Sequence, residues 1–539
     1  MMSRFECWTP AFGFQTEWSV GIESSDQEST GSGESSEASP VSPSNSAGES
    51  PEHTPALSRS TRWIENQAIQ HAPRFIRNRI FGRQFNRAHL KNLQASDARK
   101  NKKTRIPDGE SVGLDTIWIC ETYGPDSSDK LNKFVRRMEK SDSESSSPPG
   151  YSDWLLESRS TGVTGFLQLP RVVRRSGQFI EEAPHVTMTL PPGIEYIDLH
   201  LHSITSSITA IVACFVLESD ESKIISTAVN EDQESKLIIR KNHRKRSSSP
   251  ADVIKLKIGA QSTWREQKRL DCSSWMNENL PGWFSRDADV VLPSVELITT
   301  QKCLAWDKEE VRNPSDYEYT EILGLGGGRI FWKSQGSNEI RLRETSERVI
   351  TAAARIPDLT MQYTDSSQYI SAFTDSISEL LTRWSLLIMV RITGEQLTVL
   401  RDRSERAVRK GTGRSFTSLR KSLLQAGVDT QIVIGDISAM ANDSKDWATI
   451  GFSPVVPPRL ATYGAIHALP EGWRQEALLR SQEALQFESR LRELISTSAE
   501  LTATATNIRI QKVVIWLTTA SVIAAAIAAW ASVAALHKH

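Results

Sequence analysis

The stretch Val513–Leu536 constrains this chain more than any other. It reads VVIWLTTASVIAAAIAAWASVAAL, 24 residues without a charge or a proline. At roughly 1.5 Å per residue such a helix is about 36 Å long, enough to cross a hydrocarbon core of about 30 Å with some tilt. Nine of the 24 positions are Ala, so the apolar character rests on Val513, Ile515, Leu517, Ile523, Ile527, Trp530 and Leu536. Trp516 stands near one end, where an indole suits the membrane interface. Arg509 and Lys512 close the upstream end and Lys538 the downstream end, which keeps charge out of lipid. The pattern predicts one transmembrane helix over 513–536, with a lipid bilayer as the first partner. An Ala-rich helix buried in a soluble core is the competing reading, and it would have to run six turns without a charged position.

Small residues recur every four positions in the span, at Ala520, Ala524, Ala528 and Ser532. That spacing lets two helix backbones approach closely and offers a face for self-association. Upstream, Ala484, Phe487, Leu491, Leu494, Ser498, Leu501, Ala505 and Ile508 alternate three- and four-residue steps, a heptad seam. Residues 471–512 are therefore predicted to form one long stalk helix entering the span, about 63 Å long at roughly 1.5 Å per residue. Either further copies of the chain or the helices of 364–442, folded back, can fill its seam.

The N-terminus, MMSRFECWTPAFGF, lacks an apolar h-region and carries Glu6, so it is not a secretory signal. A single-pass membrane protein with its N-terminal bulk in the cytosol is the expectation. The five cysteines, at 7, 120, 214, 272 and 303, are scattered and form no CxxC pair, which speaks against a disulfide framework or a zinc finger.

Residues 1–60 hold nine acids against Arg4 and Arg59 and are rich in Ser, Pro and Gly. Such an arm buries too little apolar surface to offset chain entropy and is predicted to be disordered. The charge then reverses. Within 61–112 lie twelve basic residues against Glu65, Asp97, Asp108 and Glu110, with Trp63, Phe75, Phe81 and Phe85 interleaved. Part of this segment fits a basic amphipathic helix whose Arg74, Arg77, Arg79, Arg83 and Arg87 would meet an anionic membrane surface. A nucleic acid is the lesser candidate partner, and the reading favoured over both is that the charge neutralises the acidic arm or forms a solvated face.

From 113 to 343 the pattern is that of an α+β domain. TIWICE (116–121), 166–169 and 186–190 read as strands, and 130–139 as a helix. ITAIVACFVL (208–217) is apolar on both faces, the mark of a buried central strand. RKNHRKRSSSP (240–250) reads as a basic loop, 251–275 as a helix, and 290–299 and 321–332 as strands. Helices are predicted to dominate 344–470, with a long one over 364–409 whose apolar run Leu386–Val390 is too short to span a membrane. The PVVPP run at 454–458 is a stop.

The sharpest chemical motif is DLHLHS (198–203). It resembles the strand-borne D-x-H-x-H signature that opens PHP-type metallohydrolases. Alternation places Asp198, His200 and His202 on one strand face, and the resemblance implies a metal held by the two imidazoles. Sites of that family need further His and acidic ligands, yet only His243 and His467 follow before the span. The other reading is two histidines on the polar face of a half-buried strand. GLGGGR (324–329) lacks the Lys-Ser/Thr of a phosphate-binding loop and is followed by IFWK, which reads as strand, so a glycine-rich hairpin is expected. The layout of the last stretch is similar to CorA-type metal-ion channels. Those have two spans joined by a Gly-Met-Asn loop, and this sequence shows one span, no such loop and no charged residue for an ion path.

The expected architecture is thus an α+β soluble domain, a helical, coiled-coil-like region and one C-terminal transmembrane helix. The expected function is that of a scaffold or sensor with an unidentified protein partner, no catalytic set and no cofactor. A membrane-tethered metal-dependent hydrolase using the DLHLHS strand is the alternative.

Overall fold

The computed structural model describes residues 86, 88–141, 150–174, 185–242, 245–286, 291–303, 305–306, 318–326, 330–334, 340–357, 366–410, 419, 421–423, 427, 430–447, 451–456 and 468–536. The disordered arm 1–60 and Arg74, Arg77, Arg79, Arg83 and Arg87 of the basic segment lie outside these residues. So do His243 and His467.

Among the described residues twelve strands run in chain order: β1 (Val112–Tyr123), β2 (Gly165–Val173), β3 (His185–Thr187), β4 (Ile194–Ser203), β5 (Thr209–Leu217), β6 (Lys236–Asn242), β7 (Lys245–Ala251), β8 (Ser294–Thr300), β9 (Phe331–Ser334), β10 (Arg341–Ser346), β11 (Val349–Arg355) and β12 (Phe452–Val455). Ten of them form one mixed sheet in the order β12-β9-β10-β11-β8-β1-β5-β4-β2-β3. The pairs β8–β11 and β2–β3 are parallel, and the other neighbours in the sheet are antiparallel. The short edge strand β12 carries Pro454, and proline is tolerated at an edge because the N–H it lacks need not pair.

The helices are α1 (Asp97–Thr104), α2 (Ser128–Ser141), α3 (Tyr151–Thr161), α4 (Ser219–Ser222), α5 (Ile224–Asn230), α6 (Val253–Asn279), α7 (Glu318–Ile322), α8 (Ser366–Lys410), α9 (Gly435–Asn442), α10 (Ser444–Trp447) and α11 (Leu469–Leu536). Strand alternation gives β1 two apolar faces. Trp118, Cys120 and Thr122 point one way, and Ile117, Ile119 and Glu121 the other. The first face is covered by α8: the Trp118 indole donates to Thr374 Oγ1 at 3.1 Å and Thr122 Oγ1 approaches Met389 Sδ at 3.2 Å. The second is covered by α6, where Trp275 meets Phe215 edge-on at 5.7 Å. Strands β5 and β8 are buried throughout, as a layer enclosed on both sides requires.

Helix α8 is apolar around most of its circumference because it is itself a middle layer. Leu380, Trp384, Leu386, Leu387 and Met389 are fully buried between the sheet and α11. Trp384 stacks on Trp473 of α11 at 5.9 Å, and Arg391 makes a two-pronged ion pair with Glu476 at 3.0 and 2.8 Å. Helix α9 also packs on α11, and Arg474 donates to the Ala441 carbonyl at 2.7 Å.

Helix α11 is 68 residues long and is unbroken from Leu469 to Leu536. Pro470 sits in its first turn, where a missing N–H costs nothing. The first part of the heptad seam is filled by the preceding helices: Ala484 and Leu491 are buried, and Arg401 of α8 lies over the Phe487 ring. Past this point the helix leaves the domain. Leu494 is 45 % and Ile508 48 % exposed, and a coiled coil with another chain is not shown. The most apolar stretch is Asn507–Trp530, 24 residues with none of it buried and a mean hydropathy of 2.0. Among the described residues it is the one helix long and apolar enough to cross a membrane.

Several sequence expectations are corrected. The sheet does not end at 343: β11 lies inside it and β12 at its edge, both within the region expected to be helical. The basic loop 240–250 belongs largely to the hairpin β6–β7. Glu321 and Ile322, expected to begin a strand, belong to the helix α7. The folded part also begins before 113. Helix α1 belongs to the basic segment, and its Lys100, Lys103 and the following Arg105 pair with Asp252, Glu318 and Asp232 at 3.1, 3.5 and 2.9 Å. These three cations are held by the domain itself.

The Trp384–Trp473 stack joins the sheet-covering layer to the stalk. Trp384→Ala is expected to cost about 3–5 kcal/mol, the range for a buried aromatic lost from a core. Leu156→Ala, at a position 49 % exposed, should stay within about 0.5 kcal/mol. Thermal unfolding of the full-length chain in detergent, by circular dichroism, checks the contrast.

Candidate functional site

Strand β4 carries the DLHLHS motif, and its register decides what the motif can do. Asp198 lies opposite Cys214, His200 opposite Val212 and His202 opposite Ala210 on β5. These positions belong to the α8-covered face, so the three side chains do share one face as the alternation predicts. That face is not half-open. Asp198, His200 and His202 are 4 %, 5 % and 8 % exposed, because α8 lies over them.

Asp198 is fully engaged. Arg171 of β2 clamps it with two hydrogen bonds, Nε to Oδ1 at 2.7 Å and Nη2 to Oδ2 at 3.0 Å, and stacks over the Tyr196 ring at 4.0 Å. A bidentate guanidinium–carboxylate pair is the strongest ordinary partner an aspartate finds. His200 and His202 each keep one buried ring nitrogen without a hydrogen-bond partner, Nδ1 and Nε2 respectively. The His202 ring stacks against Phe166 at 6.2 Å. Burial pushes the His202 imidazole down to about 3, and His200 and Arg383 add repulsion of the same sign. Burial lowers His200 as well, opposed by Asp198 and Asp375.

Those orphaned nitrogens invite the metal test, and the donor set does not meet it. Among the described residues no group of three or more His, Cys, Asp or Glu side chains is placed to hold a metal ion. The carboxylate of the motif is committed to Arg171, and the cation nearest His202 is Arg383. A divalent ion here would face two guanidinium groups with two imidazoles as ligands. GLGGGR is described only at 324–326. Gly324 has φ +74° and follows the five-residue helix α7.

Two buried charge clusters on the opposite face escaped the sequence reading. Glu296 of β8, fully buried, pairs with Arg265 and Arg269 of α6, and Arg265 also donates to Thr351 Oγ1 at 3.0 Å. Burial lowers both arginines to about 10. This cluster ties α6 to β8 and β11. Glu121 of β1 pairs with no cation among the described residues. It accepts from the backbone N–H groups of Thr122, Phe284 and Ser285 at 2.9, 2.8 and 3.1 Å. Burial raises its carboxyl to about 7, while the Ser285 hydroxyl and the backbone donors pull the other way. Gly282 makes this approach possible, since a Cβ there would lie 2.5 Å from the Thr122 carbonyl oxygen. Alternation along β1 marks Glu121 as inward-facing, but no local signal says that a loop some 160 residues later will cap it.

The two kinds of buried group act in opposite senses with pH. A histidine whose folded value lies below its unfolded value of 6.5 contributes stability that is complete above that pH and lost as pH falls. Glu121, raised above its unfolded value of 4.5, contributes stability present below 4.5 and lost as pH rises through about 7. His202→Phe should therefore remove a loss of about 2 kcal/mol between pH 7.5 and 5, at about 1.4 kcal/mol per pH unit below the unfolded value. Thermal midpoints of the wild type and the variant at the two pH values measure it. An identical acid-induced fall in both proteins would contradict the assignment.

The chain matches no protein-family model and no curated protein sequence.

Proposed function

We propose that this is a single-pass membrane protein whose cytosolic α/β domain works as a scaffold or sensor and is held at the bilayer by α11. The observation that carries the reading is the course of that helix. It is packed on the domain as far as Leu491 and is exposed and apolar from Val513 to Trp530. In water, such a surface would be a liability; in lipid it is satisfied. Trp516 and Trp530, 77 % and 75 % exposed, suit interfacial or lipid contact, with Leu536 closing the expected span.

The partner of the domain would be another protein, and a second copy of the chain is the simplest addition. Leu494 and Ile508 continue the heptad seam beyond its intramolecular filling, and the small residues of the span offer a separate close-packing face. The metal-dependent hydrolase built on Asp198, His200 and His202 has less support, for the reasons of burial, charge and ligand number given above. Metal analysis of the purified protein decides it: stoichiometric metal lost on His200→Ala would revive that reading.

Fractionation tests the anchor. Full-length protein is expected to resist alkaline carbonate extraction and to be digested from the cytosolic side, while a chain ending at Ile510 becomes soluble. A soluble full-length chain would overturn the proposal, as would protection of the domain from cytosolic protease.

A further inference from the structure

A pocket of about 250 Å³ opens at one end of the sheet, where β1, β4 and β5 meet α4 and the start of α8. Two irregularities flank it, in the ladders on either side of the β1–β5 pair. The β1–β8 register slips between Leu114 and Thr116, and the β4–β5 register slips between Ile194 and Tyr196. The residues left unpaired are Asp115 and Glu195, and both line the pocket from either side of β5. A bulge redirects a side chain out of the alternating pattern, and here two bulges direct two acids to one space.

The hydrogen-bond inventory says what that space would take. Ser222 Oγ donates to Asp115 Oδ1 at 2.8 Å, Thr299 Oγ1 to Oδ2 at 2.8 Å and Tyr369 OH to Oδ2 at 2.9 Å. Each hydroxyl has one proton, so Ser222 and Thr299, having spent theirs on the carboxylate, present lone pairs. Glu195 adds a second acceptor-only group. Among the described residues neither acid forms an ion pair, and Lys223 at the mouth is exposed. Val216, Leu217 and Ile370 supply an apolar wall. Two carboxylates against one lysine, hydroxyl lone pairs and an apolar wall together fit a donor-rich cation on a short hydrocarbon stem. The volume lies below the range of about 300–1,000 Å³ usual for drug-sized ligands, so it suits one small group.

We infer that this pocket binds a primary alkylammonium group, carried either by a small free amine or by a lysine side chain of a partner protein. The ammonium donates to Asp115, Glu195 and the hydroxyl lone pairs, and the stem lies along the apolar wall.

Isothermal titration of the full-length protein in detergent tests this with three probes: n-butylammonium, its neutral counterpart n-butanol, and Nα-acetyl-lysine N-methylamide. Saturable binding of n-butylammonium is expected, at least tenfold tighter than n-butanol and at least tenfold weakened by Glu195→Gln and by Asp115→Asn. Glu195 is exposed and outside the hydrogen-bonded core, so E195Q decides the matter if D115N fails to fold. Tighter binding of the lysine derivative than of n-butylammonium assigns a protein lysine as the source, and weaker binding a free amine. Absence of saturable binding, equal binding of n-butanol, or an affinity unchanged in E195Q would overturn the inference.

Discussion

Both faces of the ten-stranded sheet are apolar at its centre, and the need to cover both places nearly every other element. Strands β1, β5 and β8 carry large side chains in both directions. One face is closed by α6 and the other by α8. Because α8 is a single helix on a wide sheet, its outer side is left apolar too, and α11 closes it. At roughly 25 cal/mol per Å² of apolar area removed from water, burying these faces dominates what holds the layers together. The stalk is therefore not a separate rod attached by a linker. Its first turns are the outermost layer of the domain, and the same helix goes on toward the span. Motion of the stalk relative to the domain would have to repack the Trp384–Trp473 contact and break the Arg391–Glu476 pair.

The polar groups trapped by this layering differ in how they are satisfied. Glu296 is met by two arginines from α6, a charged joint that is costly to bury and more costly to half-remove. Glu121 is met by backbone donors and the Ser285 hydroxyl and by no cation among the described residues, which leaves its carboxyl close to neutral-pH titration. The imidazoles of His200 and His202 are held neutral under α8. The centre of the sheet thus carries titratable groups on both faces whose contributions with pH oppose each other. This is a property of the sandwich and needs no ligand.

Some of this was legible in the chain. ITAIVACFVL announces β5 because a strand apolar on both faces has one sensible place. The heptad spacing through Leu491 and the apolar run from Val513 announce one long helix, and it is continuous. Other elements were hidden for physical reasons. VITAAAR reads as helix because alanine favours helix, yet β11 sits buried between β8 and β10. The hairpin β6–β7 was hidden by its charge. The polar look of β4 suggested a solvent face, and only the far-downstream helix α8 reverses that. The pocket at Asp115 and Glu195 had no signature, since a bulge is a property of the paired ladder and not of either strand.

The proposed anchor requires that one continuous helix leave the domain and enter the bilayer. Nitroxide depth measurement tests it most directly, with full-length protein in liposomes and single labels at Leu494, Ile510, Leu517 and Ile523. The ratio of oxygen to nickel-chelate accessibility should be water-like at Leu494, rise through Ile510 and Leu517 and be highest at Ile523. A water-like ratio at all four positions would contradict the claim, and the apolar surface of α11 would then require a protein partner to cover it.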